Sequence, residues 1–177
     1  MMSGIRAAGQ SASGNGGNGS AGPSGSAKKP TPEGPGSPFS HTAPQGHAKT
    51  TSAVLGEIVW LMSQSPLHKQ FFISDLEWFV MTPVLLQQFR LYYDQQKPIG
   101  VVLWARVSGE VEARLAEGAD KLRPQDWKSG DKLWVVEVIA PFGGAEEMVK
   151  DLKAKVFPND PIKFVATGAA GKEVRTI

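Results

Sequence analysis

Two side chains in this sequence have the types and settings from which proton-transfer chemistry is built. His68 lies in the segment SPLHK, just past a predicted helix, and it is the only histidine outside the first fifty residues. Glu137 lies inside the apolar run 133–140, which is typical of a strand buried on both faces. An ionised carboxylate is costly there unless another group pairs with it. We therefore predict that His68 and Glu137 meet, as a base and the carboxylate that orients it.

Each residue also has a simpler interpretation, and the residues alone leave both open. Imidazole is the side-chain type best suited to proton transfer near neutral pH, but a histidine at a helix end can also cap the helix or fill space. Glu137 can form a structural ion pair with a nearby arginine or lysine. Gly143 and Gly144, between a strand and a helix, can present backbone N–H groups to an anion or form a plain turn.

The pattern around these residues predicts an α/β (α+β) domain with a mixed sheet flanked by helices. Apolar residues at helical spacing predict a helix over 51–63, which Ser65-Pro66 should end. A capping-box pattern at Ser74 predicts a short second helix. The other predicted elements are a hairpin of strands 86–93 and 98–107, a helix from Ser108 to about 117, a strand over 133–140, a helix over 145–156 and a strand over 162–167.

Composition divides the chain in two. Residues 1–50 are mostly small or polar residues, so we predict a disordered low-complexity tail followed by one domain, 51–177. The tail has four basic residues and one acidic residue, 4 − 1 = +3, which leaves 15 basic and 16 acidic residues, or −1, for the domain. A domain without a basic field is not expected to bind nucleic acid.

Several site classes are not expected from the motifs. The chain has no cysteine, which excludes thiol nucleophiles and thiolate metal sites. We find no metal-ligand cluster, phosphate-binding loop, dinucleotide fingerprint or nucleophile elbow. No signal peptide or membrane span is predicted, so the expected location is the cytoplasm.

Three motifs together resemble a known family. SPLH after a helix, then PIGVVLWARVS, then DWKSGDKLWVVEVIAPFG follow the order and spacing of the toxin-activating lysine acyltransferases, the hemolysin-activating proteins that act on RTX toxins. The resemblance covers residues 55–172. It implies a fold related to the Gcn5-type N-acetyltransferases and a cytoplasmic, often dimeric enzyme that needs no bound cofactor.

The resemblance also implies a reaction and its residues. The donor would be acyl-acyl carrier protein, and the acceptor would be the ε-amino group of internal lysines in an RTX protoxin, which is thereby activated for hemolysis. His68 and Glu137 stand at the positions of the family's catalytic pair, and Ser65 falls in the same site region. The family usually has an aspartate where this chain has Glu137. The extra methylene requires a shifted backbone or rotamer.

In this interpretation His68 deprotonates the lysine, Glu137 orients His68, and the amine attacks the thioester directly. Side chains that could contact the acyl chain or the acidic carrier protein are Phe71, Phe72, Trp104, Lys69, Arg90 and Arg106. The residues assigned to substrate binding are Ser65, Trp104, Lys69 and Arg106. Two alternatives stay open: a small-acyl N-acetyltransferase that uses acetyl-CoA, and a diverged relative that only binds carrier protein or toxin.

Overall fold

The computed structural model describes residues 49–119, 121–168 and 171–177. The predicted tail therefore lies outside the described residues, except for its last two positions. The α-helices are α1 (Thr51–Gln64), α2 (Thr82–Leu85), α3 (Gly109–Ala116) and α4 (Ala145–Lys155). Shorter turns are the 3₁₀ helices His68–Gln70, Ile73–Asp75 and Pro124–Trp127 and the π-helical turn Glu77–Met81. The strands are β1 (Phe89–Asp94), β2 (Lys97–Val107), β3 (Lys132–Ile139), β4 (Ile162–Gly168) and β5 (Gly171–Thr176).

The strands form one mixed sheet in the order β1-β2-β3-β4-β5. β1, β2 and β3 are antiparallel neighbours, β3 and β4 are parallel, and β4 and β5 form an antiparallel pair. The predicted fold class, a mixed sheet flanked by helices, is confirmed. β3 and β4 pair only from Leu133 to Val135, so the two strands separate beyond Val135.

A layer of buried side chains covers each face of the sheet. The layer under α1 and α2 includes Ile58, Leu61, Phe79, Leu103 and Trp134. The layer under α4 includes Tyr92, Val102, Trp104, Met148 and Leu152. Alternate residues of β2 enter opposite layers, as the two-residue period of a strand requires. The two faces are therefore separate environments, and the site lies on the α1 face.

Most predicted elements are present, but the segment after His68 differs from the single short helix expected at Ser74. Asp75 accepts hydrogen bonds from the Phe72 N–H (3.0 Å) and from the Trp78 ring N–H (3.2 Å), so the chain forms a tight 3₁₀ turn there. A π-helical turn follows, and α2 begins at Thr82 with Pro83 in its first turn, where proline's missing N–H costs nothing. The terminal strand β5 was not predicted.

No helix within the described residues is both long enough and apolar enough to cross a membrane.

Candidate active site at the end of the first helix

The end of α1 sets the position of His68. Ser65, the C-cap residue, is extended (φ −90°, ψ 123°), as expected for a residue that precedes a proline. Its N–H donates to the Met62 carbonyl (3.1 Å), which fixes the exit from the helix. The chain then turns back into the 3₁₀ helix His68–Gln70, and the His68 side chain is 4% exposed. The histidine is therefore a buried residue held by a rigid helix end.

The His68 ring is held on one edge by Ser65 and is flanked by two phenylalanine rings that also contact each other. The Ser65 Oγ lies 2.7 Å from the His68 Nδ1, and the His68 backbone N–H donates to the same oxygen at 3.5 Å. The rings of Phe71 and Phe79 stack near the imidazole, with centroids at 5.8 and 6.1 Å. The opposite edge of the ring carries Nε2, which is buried and accepts no hydrogen bond from the described residues.

A β-bulge turns Glu137 toward His68. Leu103 pairs with Glu137 and Trp104 pairs with Val135, so Val136 is an extra residue in β3. In a regular strand two consecutive side chains point to opposite faces, but here Val136 packs against the α1-face layer and Glu137 also contacts His68 on that face. The bulge therefore puts the Glu137 carboxylate on the same face of the sheet as His68.

The predicted pair is brought together, but across a gap. The Glu137 Oε1 lies 3.8 Å from the His68 Nε2. Both side chains are buried: Glu137 is 5% exposed and His68 is 4% exposed. That distance exceeds a hydrogen bond. Oε1 accepts from the Val138 N–H at 3.1 Å, and among the described residues Nε2 has no hydrogen-bond partner. The site thus contains a buried ring nitrogen that faces a carboxylate at more than hydrogen-bond distance.

The surface next to His68 is apolar. Leu67, Phe72 and Ile73 are 50%, 76% and 87% exposed, which is unusual for such large side chains. Asp75 holds the turn that carries Phe72 and Ile73, and a hydrogen bond from Trp78, and then one from the Phe72 N–H, lowers the pKa of Asp75. The two hydrogen bonds that Asp75 accepts therefore fix the turn that contains Phe72 and Ile73.

The structure does not bring all the residues assigned to substrate binding to His68. Lys69 is adjacent and exposed, and Ser65 contacts the ring directly. Trp104 is buried on the opposite face of the sheet, edge-on to Phe157 (5.4 Å between centroids). Arg106 also faces that side, where it bonds to Asp160 at 3.0 Å. Trp104 and Arg106 therefore lie on the other face of the sheet from His68, and a role for them in substrate binding stays a prediction.

Of the two remaining candidates for substrate contact, one lies beside His68 and the other does not. Phe71 is half-buried beside the imidazole. Arg90 pairs instead with the buried Asp151 of α4 at 3.3 Å. No group of three or more potential ligand side chains that could hold a metal ion occurs in the described parts of the chain.

Comparison with known proteins identifies the family of this chain. A family model described as the RTX toxin acyltransferase family matches residues 47–177. The chain belongs to the RTX toxin acyltransferase family. The resemblance predicted from the three motifs is thereby confirmed, and with it the assignment to the acyltransferases.

Several individual proteins are similar in sequence to this chain over most of its domain. This chain is 36% identical over 123 residues to an uncharacterized protein of Synechocystis, and the aligned region covers 68% of this chain and 84% of the relative. It is 36% identical over 107 residues to the RTX-II toxin-activating lysine-acyltransferase ApxIIC of Actinobacillus pleuropneumoniae, covering 60% and 66%. It is 34% identical over 105 residues to the lysine-acyltransferase RtxC of Vibrio cholerae, covering 59% and 69%.

Sequence reasoning missed two features of the site. Phe79 lies against the imidazole although eleven positions of sequence separate it from His68, and only the packing of the π-helical turn brings it there. Val136 looks like one more apolar residue of β3, and nothing in its type signals a bulge.

Proposed function

We propose that this protein is a protein-lysine fatty acyltransferase that activates an RTX protoxin. It moves an acyl chain from the phosphopantetheine thioester of acyl-acyl carrier protein to the ε-amino group of internal lysines. Family membership supports the reaction class. The observation that supports a working site in this chain is the buried His68 whose Nε2 faces Glu137 at 3.8 Å.

His68 acts as the general base. A lysine is an ammonium ion at neutral pH and attacks a thioester only after it loses a proton. The His68 Nε2, without another hydrogen-bond partner in the described residues, accepts that proton, and the negative Glu137 stabilises the imidazolium. Such a base contributes about 10²–10⁴-fold to a rate.

The covalent step is direct transfer. The amine nitrogen bonds to the thioester carbon, and the tetrahedral intermediate breaks its C–S bond to give the amide. The lysine ammonium loses two protons in total. His68 returns one to the leaving thiolate, and the other goes to solvent. The chain has no cysteine, so a thioacyl-enzyme is not part of this route.

The partners in this proposal are acyl carrier protein and the protoxin, and we place the reaction in the cytoplasm. The exposed Leu67, Phe72 and Ile73 beside His68 provide an apolar surface for the acyl chain. A homodimer is also proposed, on the resemblance alone.

Acetyl-CoA is a poorer donor for this site. An N-acetyltransferase of that type binds pyrophosphate at a helix N-terminus, where backbone N–H groups meet the phosphate. Here α4 begins after Gly143 and Gly144 and carries Glu146 and Glu147 in its first turn. Two carboxylates there repel a pyrophosphate, which favours a donor carried by a protein.

Mass spectrometry of a mixture of the protein, acyl-acyl carrier protein and an RTX polypeptide tests the proposal. We expect a fatty-acyl mass increase on lysine that His68→Ala abolishes and that Gln70→Ala, an exposed neighbour in the same 3₁₀ helix, leaves intact. An increase that survives His68→Ala contradicts the mechanism. A folded wild-type protein that transfers nothing favours a relative that only binds its partners.

A further inference from the structure

We propose that Ser65 fixes His68 as the Nδ1–H tautomer and that Glu137 lies on the substrate side of the ring, where it binds the ammonium of the acceptor lysine. This rests on the proposed function. It reassigns the two partners of His68: the serine is the positioning residue, and the carboxylate contacts substrate. In the Ser-His-Asp arrangement the carboxylate instead holds the ring from Nδ1 and the serine faces Nε2.

The position of Ser65 supports its role in fixing the tautomer of His68. Its Oγ lies 2.7 Å from Nδ1 and 3.5 Å from the His68 backbone nitrogen. A hydroxyl oxygen has two acceptor lone pairs, so it accepts both N–H groups at once. Ser65 is buried, 6% exposed, and is itself fixed as the C-cap of α1. A serine in this setting orients the ring and does not face substrate.

The other tautomer leaves the site without a base. If Nε2 carried the proton, Ser65 would donate to Nδ1 and neither ring nitrogen would keep a free lone pair for the lysine's proton.

The distance between the His68 Nε2 and the Glu137 carboxylate supports the role of Glu137 in binding the lysine ammonium. With the proton on Nδ1, the Nε2 lone pair faces the Glu137 carboxylate, and two acceptors need a donor between them. An ammonium nitrogen to one side of the line joining the two atoms could lie about 2.9 Å from both and donate to each. A lysine side chain that enters a buried site also loses its hydration, which is unfavourable unless a negative group compensates. Glu137 is the carboxylate that lies against Nε2, and the Val138 N–H holds it in position.

Nitrogen-15 NMR of the imidazole tests the tautomer without any acyl donor. The protein used is the full chain with His41→Gln and His47→Gln, so that His68 gives the only imidazole signals. For the neutral ring we expect a protonated Nδ1 and an unprotonated Nε2. Ser65→Ala removes that preference, Ser65→Thr restores it, and Ser63→Ala, the exposed serine two residues earlier, leaves it unchanged. A wild-type ring protonated on Nε2 overturns the proposal.

Titration with n-butylamine, a lysine side-chain analogue, tests the carboxylate. We expect the amine to shift the Nε2 signal in the wild type and at least tenfold more weakly in Glu137→Gln, whereas Glu147→Gln, an exposed glutamate of α4, behaves as wild type. Equal shifts in wild type and Glu137→Gln overturn this half. Because neither measurement involves acyl transfer, a failed transfer assay contradicts the proposed function alone.

Steady-state kinetics separates the two roles. Ser65→Ala is expected to lower kcat about tenfold to a hundredfold with little change in the KM for the acceptor, and Ser65→Thr to recover most of it. Glu137→Gln is expected to raise the acceptor KM as well. A Ser65→Ala enzyme with unchanged kcat contradicts the positioning role.

Discussion

Replacing Glu137 by glutamine removes one charge from the site and little else. Glutamine has nearly the same shape, and its carbonyl oxygen can still accept the Val138 N–H that now bonds to Oε1. The change therefore isolates the electrostatic effect of the carboxylate on His68 and on the substrate amine. It is a sharper test than truncation to alanine, which would also leave a cavity.

The size of the effect follows from distance and burial. Unit charges 3.8 Å apart interact by about 4 kcal/mol at an effective dielectric constant of 20 and by about 1 kcal/mol in bulk water. Both side chains are nearly inaccessible, so the larger figure is the better guide. Loss of ~3–4 kcal/mol of transition-state stabilisation corresponds to a fall in kcat/KM of about 10²–10³-fold.

The assay is the initial rate of lysine acylation at fixed donor concentration, with circular dichroism and thermal unfolding to show that the variant is folded. Glu137→Asp is the matched variant, since it keeps the charge and shortens the side chain by one methylene. Moving the carboxylate back by about 1.5 Å reduces the interaction by ~1 kcal/mol, so we expect a loss of only about tenfold. A folded Glu137→Gln that retains more than a fifth of wild-type kcat/KM refutes the electrostatic reasoning.

Three further predictions concern stability. Gly130→Ala is expected to destabilise the fold by about 1–3 kcal/mol in urea unfolding, since a Cβ there would lie 2.5 Å from the Val107 carbonyl oxygen; an unchanged midpoint would contradict it. Arg114→Met is expected to lower the free energy of unfolding by ~1–3 kcal/mol, because it removes one of the two arginines that pair with the buried Asp126. In the double variant, Asp126→Asn should restore part of that loss. Hydrogen bonds from Lys132 and then Lys163 lower the pKa of Glu112, so its contribution to stability is present above the carboxyl's unfolded pKa and is lost as pH falls through the folded pKa; Glu112→Gln should flatten the acid limb of a stability–pH curve.

The meeting of His68 with Glu137 could be predicted, because the domain contains one histidine and its central strand contains one acid. The face on which they meet could not. A regular strand that places Trp134 and Val136 on the α1 face would place Glu137 on the α4 face. The bulge reverses that assignment, and a bulge depends on how β2 and β3 pair across the sheet, which the residue types of β3 alone do not encode.

The sheet face of Trp104 and Arg106 could not be predicted from the sequence either. The sequence predicts their strand, but the face of each residue depends on its neighbours in the sheet. Once Leu103 is known to pair with Glu137 on the α1 face, residues 104 and 106 must point to the other side. There Trp104 packs on Phe157, and Arg106 reaches Asp160, so both residues serve the α4 layer.

β5 could not be predicted because it has no apolar face. Residues 172–177 are exposed, and the segment GKEVRT reads as a polar terminus. What makes it a strand is the backbone of β4, which pairs with it from Lys163–Thr176 to Gly168–Gly171. Pairing along a neighbouring edge is a tertiary effect, and periodicity within one segment does not reveal it.

The bulge and the glutamate are matched to each other. The bulge turns two consecutive side chains, Val136 and Glu137, to the α1 face, which changes the starting point of the carboxylate. The longer side chain then folds back so that Oε1 accepts the N–H of the next residue, Val138, and ends 3.8 Å from the His68 Nε2. An aspartate on the same backbone would end about 1.5 Å further from the ring. The bulge and the length of the glutamate side chain thus act together to bring the carboxylate to the histidine, and the lysine ammonium that we propose as substrate would contact both groups.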